Sequence, residues 1–169
     1  MVRRISVGDA SDLEHFYAEL DPATRWLRFH AATAGLSHSQ STWFCRPDRD
    51  RHEGFVGAIH EDGSAERIVA HLCVEPASPT EAEVALVVAP GFQGQGIGRR
   101  MAEEAVAWAR RDGIRTLTAT MLVGNEPIRR LLTTLNLPTR WTTLDAGTCE
   151  LTIDLLAEPG PADPPRVAA

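Results

Sequence analysis

Hydrophobic positions along the chain follow two rhythms, and the change falls near residue 50. Leu13, Phe16, Tyr17 and Leu20 recur at helical spacing behind Ser11 or Asp12, either of which suits an N-cap. Asp21-Pro22 offers a second start, a cap followed by proline at the first helical position, and leads through Trp26, Leu27 and His30. Residues 37–44 predict a third short helix. The period then drops to two. Residues 54–60 (GFVGAIH) and 67–74 (RIVAHLCV) read as a hairpin across Glu61-Asp62-Gly63-Ser64. Glu81–Val88 becomes almost continuously apolar in its second half, which predicts a strand near the centre of a sheet.

Past Val88 the helical period returns. Ile97, Met101, Ala105, Trp108 and Ala109 mark one face of a helix that Gly113 is suited to end. Residues 116–123 read as a strand, 127–135 as a short helix, and 139–144 with 148–155 as a closing hairpin over Asp145-Ala146-Gly147. The order is helices, antiparallel strands, then strand, helix, strand, helix, strand, strand, which predicts an α/β fold with a mixed sheet. Residues 158–169 (EPGPADPPRVAA) hold too little apolar material to fold, so one domain over 1–157 with a mobile tail is expected.

Composition adds limits. A chain of 169 residues suits one domain burying roughly 70% of the surface its unfolded form exposes. Its 43% apolar and 24% charged residues are those of a globular protein. No membrane span is visible, and Met-Val-Arg-Arg is followed by no apolar h-region, so a cytoplasmic protein is expected. A net charge of −6 disfavours nucleic acid and anionic membrane as partners. Cys45, Cys73 and Cys149 form no CxxC pair and read as small buried hydrophobes, not as metal ligands or nucleophiles. His30, His38, His60 and His71 lack ligand spacing and are expected in packing or polar roles, and no metal is expected. Trp26 and Trp43 are expected in the core. All 17 Lys+Arg residues are arginine, so an enzyme that modified lysines would have none of its own to modify.

The stretch 87–100 (VVAPGFQGQGIGRR) carries the chemistry. It places four glycines in eight residues between a strand and a helix, where unpaired backbone N–H groups and the helix dipole favour a phosphate. The dinucleotide pattern GxGxxG fails, because Gly94-Gln95-Gly96 is followed by Arg99 where glycine is needed. The GxxxxGK[ST] pattern fails too, since Ile97-Gly98 follows Gly91 and Gly96. A plain tight turn has no use for so many glycines, each of which raises the entropy lost on folding.

What remains, Gln93-Gly94-Gln95-Gly96-Ile97-Gly98 directly after strand Glu81–Val88, resembles the coenzyme A pyrophosphate loop of the GNAT N-acetyltransferases. The N-terminal segments Asp12-Leu13-Glu14-His15-Phe16-Tyr17 and Leu20-Asp21-Pro22-Ala23-Thr24-Arg25-Trp26-Leu27-Arg28-Phe29 are similar to the GNAT domain of bacterial Pat-type protein lysine acetyltransferases, as is Asn125-Glu126-Pro127-Ile128. The likeness spans about residues 5–155. It implies a GNAT-type fold whose mostly antiparallel central sheet, with helices on both faces, is splayed at an acetyl-CoA site. By resemblance, N–H groups of Gln93, Gly94, Gln95, Gly96, Ile97, Gly98 and Arg99 hold the pyrophosphate. Leu86, Val87 and Val88 pair with the pantetheine arm, and Asn125 contacts the cofactor from the next strand. Arg99 and Arg100 are candidates for the ribose phosphate.

The resemblance also implies transfer of an acetyl group to an amine, either a protein lysine or a small amine. Holding such an amine neutral at pH 7 costs roughly 4.6 kcal/mol for a pKa near 10.4, so a base is needed. Glu83 stands at the family's catalytic glutamate, with Glu81 in reserve, and would need burial to raise its affinity for a proton. At about 3.3 Å per residue it lies on the order of 10 Å from a thioester near Leu86, which favours relay through water. Many family members protonate the leaving thiolate with a tyrosine, and here Leu132 stands at that position. The lone tyrosine, Tyr17, lies on the first helix. An alternative consistent with Leu132 is an idle acyl-CoA-binding module; a homodimer is left open.

Overall fold

The computed structural model describes residues 1–48, 52–60, 66–145 and 147–157. The chain forms β1 (Val2–Arg4), α1 (Ala10–Glu19), α2 (Pro22–Phe29), α3 (His38–Phe44), β2 (Glu53–His60), β3 (Glu66–Ser78) and β4 (Glu81–Val88). There follow α4 (Ile97–Arg111), β5 (Thr116–Leu122), α5 (Glu126–Thr133), β6 (Thr139–Thr143) and β7 (Thr148–Asp154). Seven strands make one sheet in the order β1-β2-β3-β4-β5-β7-β6, so β4 is its middle strand as its apolar run predicts. All pairings are antiparallel except β4 with β5.

Pleating sorts the side chains into two layers. Phe55, Leu72 and Val74 join Met101, Ala105, Trp108 and Ala109 of α4 in one buried cluster. Val56, Cys73 and Val87 join Leu13, Phe16 and Tyr17 of α1 and Phe44 of α3 in the other. Helices therefore cover both faces, and α4 ends where Gly113 takes a φ of 83°.

Several boundaries differ from the sequence expectations. The first helix starts at Ala10, with Asp9 rather than Ser11 or Asp12 at the N-cap. The Asp9 carboxylate is held by Arg3 through bonds of 2.7 and 2.8 Å, and these hydrogen bonds lower its pKa. Strand β1 was not foreseen. Its three residues pair with Phe55, Val56 and Gly57, a match only the folded chain creates. Trp26 and Trp43 are not core residues: they stay 47% and 41% exposed, and Trp43 stacks on the buried His52 with centroids 4.1 Å apart. The predicted turn at 61–64, Ala146 and the tail at 158–169 lie outside the described residues.

Candidate active site

Strands β4 and β5 run parallel for only three register pairs, from Glu81–Thr116 to Glu83–Thr118. Beyond them β5 continues on β7 and β4 continues on β3, so the two part company. The alternation of antiparallel bonds settles what faces the gap. Ala89 donates to the Val69 carbonyl at 2.9 Å, so its pleat-mates Val87 and Ala85 bond β3. The main-chain groups of Leu86 and Val88 then point away from β3, into the opening.

The glycine loop closes one end of that opening. After a single 3-10 turn over Pro90–Phe92, Gln93 folds back and donates Nε2 to the Val88 carbonyl at 3.0 Å. Gln95 does the same to the Gly91 carbonyl, also at 3.0 Å. Gly94 and Gly96 have φ of 72° and 82°, the left-handed region that costs an L-residue about 1–2 kcal/mol. Gly96 is the N-cap of α4 and has no side chain to cap it. The first amides of α4, at Ile97, Gly98 and Arg99, therefore have no capping acceptor, and a Cβ built on Gly94 or Gly96 meets nothing within 4 Å. Unpaired donors at a dipole's positive end, beside open space, suit the diphosphate of coenzyme A.

Between loop, β4, α2 and α5 lies a cleft of about 500 Å³. Leu86, Val87, Val88, Gln93, Gly94, Gly96, Gly98, Arg99 and Asn125 line it, although the Val87 main chain is committed to β3 and is not free for the pairing with pantetheine that the resemblance implies. Gln95, Ile97 and Arg100 do not. Asn125 is 9% exposed and caps α5, its Oδ1 accepting from the Ile128 N–H at 3.4 Å. Arg99 also bonds Glu103 at 2.8 Å. A smaller chamber of about 80 Å³ continues inward where the strands separate, walled by Val84 and Leu86 on one side and Ala119 and Met121 on the other.

One expectation is corrected here. Glu83 is exposed rather than buried, and neither it nor Glu81 lines the cleft. It is the last residue of the parallel pairing, and it faces Glu75 across β3. Leu132 is 8% exposed and packs in the core while walling the small chamber, so no phenol stands at that position, and the hydroxyl among the described residues lining the chamber is the aliphatic one of Thr120. Tyr17 is fully buried, its hydroxyl 3.0 Å from His71 Nδ1. Burial pushes that phenol up, with Arg28 acting in the opposite sense. Burial, reinforced by the charge of Arg28 and by His52, holds the His71 imidazole down at about 3, so the ring is neutral. Burial also pushes the Cys45 thiol up to about 12 and raises Cys73 and Cys149.

The contribution of α2 was missed. Thr24, Leu27 and Arg28 line the cleft, and their i, i+3, i+4 spacing was the available signal that they share a face. The two arginines of α2 divide their work. Arg25 turns inward, donating Nε to the Thr33 carbonyl at 2.9 Å and Nη1 to the carbonyls of Tyr17, Ala18 and Leu20 at the end of α1. Arg28 turns to the cleft.

Comparison with known proteins agrees with this geometry. The acetyltransferase (GNAT) family model matches residues 13–136, and the chain belongs to that family. It is an acyltransferase of the kind that uses acetyl-CoA. The acetyltransferase PA5475 of Pseudomonas aeruginosa is 24% identical over 131 residues, which cover 78% of this chain and 70% of that one. The crystal structure of the GNAT domain of S. lividans PAT superposes with a TM-score of 0.78 at 26% identity, covering 90% of this chain and 89% of that one. The fold is shared with yncA from Salmonella typhimurium, solved with its cofactor acetyl-CoA, at a TM-score of 0.66 and 16% identity over 97% and 98% of the two chains.

Proposed function

We propose that this protein transfers the acetyl group of acetyl-CoA to a primary amine, with a protein lysine as the favoured acceptor and a small amine as the other. The observation that carries the reading is the opening between β4 and β5, closed at one end by the uncapped amides of α4. Those amides and the N–H groups of Gly94–Gly96 take the pyrophosphate, whereas the Gln93 N–H, expected to join them, donates to the Pro90 carbonyl at 3.3 Å. The outward-facing main chain of Leu86 and Val88 pairs with the amide-bearing pantetheine arm, and Asn125 meets the same arm from the α5 side. Likeness to the S. lividans PAT domain, together with the α2 segment of Pat-type character, favours lysine.

Glu83 serves as the base through water. Its exposure suits this role, because a carboxylate roughly 10 Å from the reacting carbon needs a hydrated path to the amine. Calorimetry with acetyl-CoA and thiol release with panels of proteins and amines test the reading together. Glu83→Gln should leave acetyl-CoA affinity unchanged and lower turnover by about 100-fold, the low end of general-base effects. An unchanged turnover removes Glu83 from the reaction, and no heat with acetyl-CoA removes the site itself.

A further inference from the structure

Breaking a thioester leaves charge on sulfur, and the inner chamber holds one group able to meet it. Among the described residues lining that chamber, Arg28 is the sole ionisable one; apart from Thr120 and Asn125 the rest are apolar. Among the described residues no tyrosine, histidine or cysteine lines either the chamber or the outer cleft, so none of these side chains can hand over a proton near a thiol's pKa. Leu132 and Arg28 border the same small space. The Arg28 Nε is buried without a hydrogen-bond partner, and among the described residues the guanidinium forms no ion pair. Leu86, Ile128 and Leu131 line the same chamber, and such apolar walls strengthen any charge interaction made there. An arginine in such a place is a fixed positive charge, because it does not deprotonate in proteins.

We propose that Arg28 stabilises the coenzyme A thiolate as it departs, an electrostatic role in place of proton donation. The inference rests on the acetyl-CoA reading above. As the amine nitrogen bonds the acetyl carbon, the C–S bond breaks and its electron pair passes to sulfur, opposite the guanidinium. The amine proton leaves through Glu83 to solvent. The product is released as thiolate and takes its proton from water outside the cleft, so no acid is required within it.

The thiol of bound coenzyme A reports on this directly. Thiolate absorbance near 240 nm is followed from pH 6 to 10 in the complex of the full chain with coenzyme A, against the complex with S-ethyl-coenzyme A, which cannot ionise. The protein's own chromophores interfere little, since all three cysteine thiols and the single tyrosine are shifted upward. The bound thiol should titrate at least about one unit below free coenzyme A, the lower bound for a cation within ~4–6 Å. In Arg28→Met it should return to the free value or above it, with kcat down about 10-fold or more and KM within about threefold. Arg28→Lys should restore part of the shift. A wild-type thiol that titrates at or above the free value overturns the proposal without any variant, as does an Arg28→Met complex with the wild-type titration. If instead succinyl-CoA binds at least 10-fold more tightly than acetyl-CoA through Arg28, with an unshifted thiol, the arginine is a receptor for acyl carboxylates and the proposal fails. Absence of any heat with coenzyme A overturns the acetyl-CoA reading as well, which separates the two failures.

Discussion

Acidification should unfold this protein through His71, and the size of the effect follows from its surroundings. The ring is fully buried, accepts or donates one bond to Tyr17, and its Nε2 has no partner. Burial and the nearby Arg28 charge hold its pKa at about 3, against 6.5 in the unfolded chain. A histidine depressed in this way stays neutral in the native state while the unfolded state takes up a proton, so stability is full above about pH 6.5 and falls as the pH drops toward 3. The slope approaches about 1.4 kcal/mol per pH unit, and at pH 4.5, two units below the unfolded pKa, the loss reaches about 2.7 kcal/mol. Asp9, held down by Arg3, also loses stabilisation in acid, so the effect must be read as a difference. His71→Gln keeps a polar group toward Tyr17 and cannot titrate. Urea unfolding of both proteins at pH 7.5, 5.5 and 4.5, read by tryptophan fluorescence from the buried Trp108, supplies the comparison. Between pH 7.5 and 4.5 the wild type should lose about 2.7 kcal/mol more than His71→Gln. Parallel curves for the two proteins would refute the claim that this imidazole is neutral in the fold.

Two further outcomes separate the loop from the scaffold. Gly96→Ala should lower stability by only about 1 kcal/mol, because φ is 82° and a Cβ there meets nothing. The same change should weaken acetyl-CoA binding by calorimetry at least 10-fold, since the amides it helps to aim are the proposed anion site. Arg25→Met should lower stability by about 2 kcal/mol in urea, because carbonyls at the end of α1 lose a charged donor, while the titration of bound coenzyme A thiol stays that of the wild type.

How much of this was legible beforehand depends on whether the determining forces were local. The glycine corner was legible because left-handed φ at Gly94 and Gly96 is a demand few other residues meet, and the strand before it carried its own apolar signature. The mixed sheet and the central place of β4 followed from periodicity for the same reason. β1 was illegible, since three residues carry no period and Val2–Arg4 become a strand only because the edge of β2 is there to pair with. Burial was the weakest inference. Helical spacing places Trp26 on a face of α2 but does not say whether another layer covers that face, and α2 has no buried residue at all. Glu83 misled in the same way: its neighbours Val84 and Leu86 point to the opposite side of the sheet, so they do nothing to desolvate it.

That alternation also explains how one strand serves two tasks. On β4 the even-numbered residues send their main-chain groups into the gap and their side chains toward α4, where Val84, Leu86 and Val88 pack against the larger core cluster. The odd-numbered residues bond β3 and send their side chains toward the N-terminal helices, Val87 into the core cluster that holds Leu13 and Tyr17. Glu83 shares that side. On the proposed reading, cofactor binding through the backbone of Leu86 and Val88 is insulated from side-chain change on the side of the N-terminal helices, the side from which Arg28 of α2 comes to line the cleft. A lineage could remodel α1 and α2 to take a different amine while leaving the diphosphate grip untouched. On that reading it could not move Arg28 freely, because among the described residues Arg28 is the one charged residue that lines both the cleft and the chamber at the strand opening.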